Sequence, residues 1–269
     1  MVLADGSLWV ADVAGDTVSR VDLVRRRTVA TVTVGAGPIA VAAVGRWVWV
    51  ADYQEATVAR IDSSNDRVTA KVATGPSPVS VVLAGARLWV FNQGNATATI
   101  IDPSTTKVIA TVPTGARAGF ATLALNRLWV PDFQGDHRVV ELDPATGRVV
   151  RRVTVGGSPI SVSFASGSGW VSNTADGTVT RFDPADGRTL ATIGVPGGSL
   201  GPLLATPRGV WVSVYGGDRL AEIDSATNTV VGTIATGHQP QNMVLDGAAL
   251  WLDESGPGDV RQVTQTPAP

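Results

Sequence analysis

The chain has 269 residues, of which 44% are hydrophobic and 16% charged, a composition typical of a folded globular protein and unlike that of a disordered one. Its formal net charge of -2 gives no overall attraction to nucleic acid or to an anionic membrane, although it leaves room for a local basic patch. The absence of cysteine excludes disulfides, thiolate metal sites and a cysteine nucleophile.

The N-terminal stretch offers no targeting signal. It lacks the basic and apolar regions of a signal peptide, and no run in the chain approaches the roughly 18 apolar residues of a membrane-spanning helix. Met1-Val2-Leu3-Ala4 matches Val81-Val82-Leu83-Ala84 inside a later repeat, so residue 1 falls in the middle of a structural unit. We therefore expect the chain to be a segment of a longer protein, with any export signal or companion domain upstream.

A five-residue motif around tryptophan recurs every 40 or 41 residues, beginning with Leu8-Trp9-Val10-Ala11-Asp12. The tryptophans of its seven copies are Trp9, Trp49, Trp89, Trp129, Trp170, Trp211 and Trp251. Self-similarity at this period indicates repeated units that cannot bury their apolar faces alone and must stack on one another. The repeat predicts a single domain over residues 1–269.

Each repeat predicts four short strands, as the second copy illustrates. Its predicted strands are Pro38–Val44, Trp47–Asp52, Thr57–Asp62 and Val68–Thr74. The first of these segments is apolar, and polar and apolar residues alternate in the third and fourth. β-Branched residues are frequent, and no segment shows the i, i+3, i+4, i+7 stripe of a helix. The predicted fold class is all-β.

Seven repeats of four antiparallel strands around an axis predict a seven-bladed β-propeller. After the last tryptophan strand, residues 259–264 supply a third strand and residues 265–269 a predicted disordered tail. We therefore expect an incomplete seventh blade in a monomer, with an exposed edge at which another chain can pair. Each tryptophan is expected to pack between adjacent blades, and the alternative is a stacking platform for ligands.

Two segments carry a family resemblance. Residues 101–112, Ile-Asp-Pro-Ser-Thr-Thr-Lys-Val-Ile-Ala-Thr-Val, and residues 223–234 are each followed by a turn with Gly and Pro, and both resemble the YVTN-type β-propeller repeat. The resemblance extends over nearly the whole chain. It implies an extracytoplasmic location in bacteria, whether periplasmic, secreted or at the cell surface, and it implies no defined activity.

The Trp-Val-x-Asp strand is also similar to repeats of the streptogramin lyase propellers, which cleave a cyclic depsipeptide ester with histidines, a glutamate and a magnesium ion. Glu254 matches the position of that family's glutamate. The family's histidine after the proline of the preceding turn is replaced, because Pro240 is followed by Gln241. The resemblance implies a lyase-like enzyme with a degenerate site around Glu254, as the alternative to a non-catalytic scaffold.

In a propeller, the turns that connect successive blades and the turns after the tryptophan strands share one side, here called the upper side. The residues that end the tryptophan strands would form a ring there: Asp12, Asp52, Asn92, Asp132, Asn173 and Glu254, with Val214 as the exception. Oxygen ligands suit Ca²⁺ or Mg²⁺, so Asp12, Asp52, Asp132 and Glu254 are candidate metal ligands. The alternative is that these side chains accept backbone hydrogen bonds in the following turn.

Departures from the repeat also concentrate on the upper side. One extra residue lies within residues 133–138 and another within residues 195–202. Residues that replace the common Gly-Ser-Pro-aliphatic pattern, or lie in the first insertion, are Arg117, Phe120, His137, His238, Gln239, Gln241 and Asn242. With Glu254, they predict a site for a small-molecule ligand or a protein partner, and chance drift of degenerate repeats is the alternative.

The hairpin turns at the opposite end of the blades, here called the lower side, are predicted to be basic. Their cations are Arg25, Arg26, Arg27, Arg46, Arg67, Arg87, Lys107, Arg127, Arg148, Arg188 and Arg208, with Asp66 and Asp186 among them. Solvated turns are the simplest interpretation, and an anionic partner is the alternative. Aromatic residues that would stack on bases are missing from these turns, which disfavours nucleic acid as the partner.

Overall fold

The structure, a computed structural model, describes residues 1–254 and 260–263. Its 27 strands form seven antiparallel sheets, and the described residues contain no α-helix, only two short 3-10 turns at Gln93–Asn95 and Tyr215–Gly217. The predicted fold class is confirmed, because each sheet is one blade of a seven-bladed β-propeller. No helix in this part of the chain is long and apolar enough to cross a membrane.

The blades follow one another in chain order. Blade 1 consists of β1 (Val2–Ala4), β2 (Ser7–Asp12), β3 (Thr17–Asp22) and β4 (Arg27–Thr33); blade 2 of β5 (Pro38–Val44), β6 (Trp47–Asp52), β7 (Thr57–Asp62) and β8 (Arg67–Ala73). Blade 3 consists of β9 (Pro78–Ala84), β10 (Arg87–Asn92), β11 (Thr97–Ile101) and β12 (Val108–Pro113); blade 4 of β13 (Thr122–Ala124), β14 (Arg127–Pro131), β15 (Arg138–Leu142) and β16 (Val149–Thr154). Blade 5 consists of β17 (Pro159–Ala165), β18 (Ser168–Asn173), β19 (Thr178–Phe182) and β20 (Thr189–Gly194); blade 6 of β21 (Leu200–Ala205), β22 (Val210–Val214), β23 (Arg219–Asp224) and β24 (Thr229–Ala235); blade 7 of β25 (Pro240–Asp246), β26 (Ala249–Glu254) and β27 (Val260–Val263).

The strands predicted for the second repeat are confirmed, with the fourth strand beginning and ending one residue earlier than predicted. Within the described residues the seventh blade has three strands, as predicted. Its third strand is Val260–Val263, whereas Asp259, Thr264 and the predicted tail at residues 265–269 lie outside the described residues.

The chain folds as two compact units. Unit 1 comprises Met1–Val130 and Val140–Arg151, and unit 2 comprises Pro131–Val139 and the chain from Arg152 onward. Blades 1 to 3 therefore belong to unit 1, and blades 5 to 7 belong to unit 2.

Burial explains the strand pattern within each blade. The second strand is buried on both faces, so β10 is buried from Leu88 to Asn92. The outermost strand is largely exposed, and in β8 the exposed residues alternate with partly buried ones. A β-bulge between Arg60 and Ile61 interrupts the pairing of the third with this fourth strand, and the same bulge recurs in blades 1, 3, 5 and 6. Bulges of this kind twist an edge strand and make it a poorer template for another chain.

Five of the seven repeated tryptophans lie at the junction with the next blade, as predicted: Trp9, Trp49, Trp89, Trp170 and Trp211. All seven are at most 5% exposed. Trp9 shares a hydrophobic cluster with Val48 of the next blade, and Trp89 shares one with Leu128. Burial of an indole contributes about 4–6 kcal/mol as an upper bound, so these junctions are a main source of stability.

Blade 5 fills one core position with a different pair of residues from the other blades. Gly169 lies opposite Phe182 on the neighbouring strand, whereas the equivalent pair in blade 1 is Leu8 and Val21. A Cβ atom on Gly169 would lie 2.2 Å from Cζ of Phe182, which is fully buried. Phe182 also packs edge to face against Phe164, with 5.8 Å between ring centroids. The Phe182 ring therefore occupies the space that a side chain at position 169 would fill.

Arginine side chains join three of the blade junctions. Each lies opposite a tryptophan on the neighbouring strand and over its ring: Arg20 over Trp9 (5.4 Å from Cζ to the centroid), Arg60 over Trp49 (5.8 Å) and Arg181 over Trp170 (4.9 Å). Each also donates a hydrogen bond to a backbone carbonyl in a lower turn of the next blade: Ser63 at 2.9 Å, Pro103 at 3.3 Å and Ser225 at 2.7 Å. The pairing of cation–π and hydrogen-bond contacts links one blade to the next.

Candidate functional site

The predicted site residues fall in both units. Unit 1 holds Asp12, Asp52, Arg117 and Phe120, and unit 2 holds Asp132, His137, His238, Gln239, Gln241, Asn242 and Glu254.

Asp52, Asn92 and Asn173, which end tryptophan strands, are fully buried. Each asparagine donates from Nδ2 to two threonine hydroxyls of the adjacent strand, at 2.9–3.0 Å. The Oδ1 atoms of all three residues are buried without a hydrogen-bond partner among the described residues. These side chains organise the upper end of their own blades.

Asp52 is a carboxylate where blades 3 and 5 carry a neutral amide. The hydroxyl of Thr57 donates to its Oδ2 at 3.0 Å, and the backbone N–H of Gly35 donates to the same carboxyl group. Burial raises the pKa of Asp52 to about 6, and these hydrogen bonds oppose the shift only in part. Asp52 therefore changes charge close to neutral pH.

The other strand-end carboxylates also have local partners. Asp12 accepts backbone N–H groups within its own turn at 3.1–3.2 Å, and Asp132 accepts from Nε of Arg138 at 3.0 Å. Glu254 accepts from the backbone N–H of Gly237 at 2.7 Å. Across residues 1–254 and 260–263, no three His, Asp or Glu side chains form a group suited to a metal ion. The Ca²⁺ or Mg²⁺ site stays a prediction.

The upper loops of unit 1 are tied together by side-chain amides. Tyr53 donates from its hydroxyl to Oε1 of Gln93 at 3.1 Å, and Gln93 donates from Nε2 to the carbonyl of Ala118 at 2.9 Å. Arg117, beside that carbonyl, is exposed. Phe120 is half-buried and packs against the hydrophobic cluster of blades 3 and 4. Of the two predicted ligand-binding residues here, Arg117 is thus the more accessible.

In unit 2, a partly buried polar cluster joins blades 6 and 7. Tyr215 donates from its hydroxyl to Oε1 of Gln241 at 3.1 Å, and Ser213 donates to the backbone carbonyl of Gln241 at 3.2 Å. Gly201 makes room for the ring, because a Cβ atom there would lie 2.3 Å from Tyr215. Burial, with a smaller effect from the charge of Asp253, raises the pKa of Tyr215. Tyr215 is therefore a neutral hydrogen-bond donor.

Asp253 is the acidic member of this region and is only 7% exposed. It accepts a short hydrogen bond from the backbone N–H of Asn242 and a second from its Nδ2 at 3.3 Å. Burial raises the pKa of Asp253, and the hydrogen bonds from Asn242 lower it. The equivalent position holds Ala, Phe, Pro or Ser in the other six repeats. A buried carboxyl group of this kind is a frequent feature of functional sites.

Exposed polar groups occupy the turn that leads into blade 7. Nδ1 of His238 lies 3.5 Å from Oδ1 of Asp218, with the two side chains 71% and 52% exposed. The same Asp218 oxygen accepts the backbone N–H of Gln239 at 2.9 Å. Gln239 is exposed and immediately precedes Pro240 and Gln241. Four predicted ligand-binding residues, His238, Gln239, Gln241 and Asn242, therefore lie in one segment of unit 2.

His137 lies apart from that segment, in the first insertion. It is exposed, has a φ of 49°, and its carbonyl accepts the backbone N–H of Val155 at 2.9 Å. Arg138, beside it, pairs with Asp132 at 3.0 Å and Asp136 at 3.1 Å. The insertion is thus organised by an arginine, with His137 on its exposed surface.

A cavity of about 320 Å³ lies at the lower turns of blades 6 and 7. Its lining consists of Thr206, Pro207, Arg208, Leu245, Gly247 and Ala248. The sequence does not predict this cavity, because its walls come from two turns of ordinary repeat sequence.

Sequence reasoning missed Tyr53, Gln93, Tyr215 and Asp253. The chain contains two tyrosines, and both directly follow the residue that ends a tryptophan strand. This shared position of the tyrosines could have marked them as candidate site residues. The acid at position 253 could have done the same, because the other repeats have a small or apolar residue there. Their hydrogen-bond partners belong to other repeats and could not be read from the sequence.

Comparison with solved structures supports the propeller fold. No protein-family model and no curated protein matches the chain. Among solved structures, hydrazine synthase of Kuenenia stuttgartiensis matches with a TM-score of 0.84 and 16% identity, covering 97% of this chain and 92% of that chain. A dihydro-heme d1 dehydrogenase, NirN, determined in complex with DHE, matches with a TM-score of 0.67 and 15% identity, covering 96% of this chain and 72% of that chain. At these identities the similarity shows the propeller fold alone, and the resemblance to YVTN-type repeats stays a prediction.

Proposed function

We propose that the chain is a non-catalytic binding scaffold whose ligand site lies at the upper loops of blades 6 and 7. The observation that carries the proposal is the polar cluster of Tyr215, Gln241, Asn242 and Asp253 beside the exposed turn at His238 and Gln239. Departures from the repeat and buried polar groups coincide in this segment. Rigid polar groups under an exposed loop are a common basis of ligand recognition.

The groups in this segment favour a small polar ligand or a polar protein segment with hydrogen-bond donors. Asp218 and His238 are more than half exposed, and Gln239 is exposed beside them. Unit 2 carries 7 Arg against 12 Asp and Glu, which favours a neutral or cationic ligand over an anion. The resemblance to YVTN-type repeats supports an extracytoplasmic, cell-envelope role for the scaffold.

The contacts of Glu254 support a scaffold more than a lyase-like enzyme. Its carboxylate accepts the N–H of Gly237, as the Asp52 carboxylate does from Gly35. Arg261 lies 3.7 Å from the same Glu254 oxygen. Glu254 thus has the turn-organising contacts that the equivalent residue has in another blade. Turnover of an ester or lactone panel that disappears in Glu254→Gln would establish the enzyme instead.

A thermal-shift screen tests the scaffold directly. The purified chain is titrated with Ca²⁺, Mg²⁺, sugars, amino acids and short cationic peptides, with tryptophan fluorescence as the second readout. We expect a compound that raises the melting temperature of the wild type and of Asp246→Ala, an exposed change on a lower turn of blade 7. The same compound is expected to bind His238→Ala/Gln239→Ala at least about tenfold more weakly. Equal binding to both variants would contradict the proposed site.

A further inference from the structure

The lower turns of unit 1 carry more cations than acids. Their cations are Arg25, Arg26, Arg27, Arg46, Arg67, Arg87, Lys107, Arg127 and Arg148, and their acids are Asp5, Asp22, Asp62, Asp66, Asp102 and Asp143. The lower turns of unit 2 have the opposite balance, with Arg188 and Arg208 against Asp183, Asp186, Asp224 and Asp246. The basic lower side predicted for the whole chain is therefore a property of unit 1.

Five of these six acids lie deeper than most of the cations, whereas Asp5 is exposed. Asp22 accepts the backbone N–H groups of Val24 and Arg25 at 2.9 and 2.8 Å, and its side chain is 18% exposed. Asp62, Asp102 and Asp143 accept hydrogen bonds within their own turns in the same way. By contrast, the side chain of Arg25 is 67% exposed and that of Arg46 is 59% exposed, although Arg25 pairs with Asp22 at 2.6 Å and Arg46 with Asp62 at 3.0 Å. The outermost layer of these turns is thus cationic.

Apolar side chains accompany this charge. Val24 is 91% exposed and Leu125 is 64% exposed, the two highest values for large hydrophobic residues among those that the structure describes. Both lie in lower turns of unit 1, where Val24 precedes three arginines and Leu125 is followed closely by Arg127. In unit 2 the exposed large hydrophobic residues, Leu190 and Val231 among them, lie on outer strands rather than on lower turns.

Contacts between turns hold this surface in place. The hydroxyl of Ser63 in blade 2 donates a short hydrogen bond to Asp5 of blade 1, and Arg20 reaches the carbonyl of Ser63 at 2.9 Å. Arg60 reaches the carbonyl of Pro103 in blade 3 at 3.3 Å. The exposed arginines therefore project from turns whose backbones are fixed, which lowers the entropic cost of binding a surface.

We propose that the lower turns of unit 1 form a docking surface for an anionic lipid bilayer. Arginine guanidinium groups pair with lipid phosphates, while the side chains of Val24 and Leu125 enter the headgroup region. Each Arg or Lys brought to such a surface strengthens binding roughly fivefold. Nucleic acid fits less well, because the aromatic side chain beside these turns, Trp47, is covered by Arg46 and Arg60 at 4.4 and 4.2 Å from its centroid. This surface is independent of the upper-loop ligand site.

Vesicle co-sedimentation tests the proposal. The chain is mixed with vesicles of phosphatidylcholine alone, or of phosphatidylcholine with phosphatidylglycerol, at low and at physiological salt. We expect binding to the anionic vesicles only, weakened by salt. Arg25→Glu/Arg26→Glu/Arg27→Glu is expected to weaken binding by at least about tenfold, and Val24→Ser/Leu125→Ser by several fold.

Matched controls separate this surface from general charge effects. Arg188→Glu/Arg208→Glu, on the lower turns of unit 2, is expected to leave vesicle binding unchanged. Circular dichroism and melting temperature verify that each variant is folded, and Arg67→Glu/Arg87→Glu gives a second charge reversal in unit 1. The proposal is overturned if the wild type does not bind anionic vesicles, or if both charge-reversal variants of unit 1 bind them as the wild type does. It is also overturned if the chain binds an RNA or DNA oligonucleotide more tightly than vesicles.

Discussion

The two units of this chain share one framework and differ in what they place on it. Both stack antiparallel blades through buried tryptophans, and both use arginines over indoles to reach the next blade. Yet unit 1 carries 14 Lys and Arg against 11 Asp and Glu, whereas unit 2 carries 7 against 12. Unit 1 exposes cations and apolar side chains on its lower turns, and unit 2 carries a partly buried polar cluster near its upper loops. Burial constrains the framework positions, whereas the turns are free to diverge.

The substitutions with the largest effect on stability should be at the buried tryptophans that both units share. Trp49→Ala in unit 1 and Trp170→Ala in unit 2 each remove a fully buried indole, and each is expected to lower the free energy of unfolding by about 3–5 kcal/mol. Urea unfolding followed by circular dichroism measures the loss. Trp47→Ala, at a half-buried tryptophan, is the control and is expected to cost clearly less. A cost below about 1 kcal/mol in either unit would show that the two frameworks are not equivalent.

The next test concerns the packing that distinguishes blade 5. Gly169→Leu places side-chain atoms within the volume of the Phe182 ring and is expected to destabilise the protein by about 1–3 kcal/mol. Adding Phe182→Ile gives the Leu–Ile pair found in blade 3 and is expected to recover most of the loss. A double-mutant cycle in urea measures the coupling. Additive effects of the two substitutions on stability would contradict the idea that the Phe182 ring occupies the space beside Gly169.

The arginine contacts should matter equally in both units. Arg20→Met and Arg181→Met each remove a cation–π contact and hydrogen bonds to the next blade, so we expect losses of about 1–2 kcal/mol in each case. Thermal unfolding provides the comparison. Arg188→Met changes a largely exposed arginine and is expected to fall within about 0.5 kcal/mol of the wild type. A loss of stability in only one of the two variants would show that these arginine contacts do not contribute equally in the two units.

A smaller, pH-dependent effect is expected at Asp52. Native Asp52 binds its proton near pH 6, whereas the unfolded chain does so near 3.8, so the native state holds more protons between these values. Its contribution to stability is therefore lost as pH rises through this window. Asp52→Asn, which copies blades 3 and 5, is expected to stabilise the protein by about 1 kcal/mol at pH 7 and to lose that advantage towards pH 4. A gain that does not vary with pH would contradict the raised pKa.

The sequence predicts the framework well and the contacts of the site poorly. Trp9 and its six equivalents are enough to predict seven blades, because a buried indole at a fixed period requires a repeated junction. Asp253 and Tyr215 were also visible as departures from the repeat, but their environment depends on a neighbouring blade. The hydrogen bond from Tyr215 to Gln241 joins residues 26 positions apart, and no periodicity specifies which turn residues meet.

The same limit applies to the strand-end ring. The sequence shows a repeated polar position there, yet Asp52 and Asn92 are fully buried, and this depends on how the adjoining turns fold over them. The lower side shows a related difference. Eleven cations were assigned to it from the sequence, but the division between a basic unit 1 and an acidic unit 2 emerges only once the units are known.

The proposed ligand site can be tested most directly by soaking crystals of the chain with a library of small polar fragments. We expect bound fragments to gather against His238, Gln241 or Asn242 of unit 2. The proposed site would be contradicted if fragments bound only in the cavity lined by Thr206 and Ala248, or if none bound at the upper loops of blades 6 and 7.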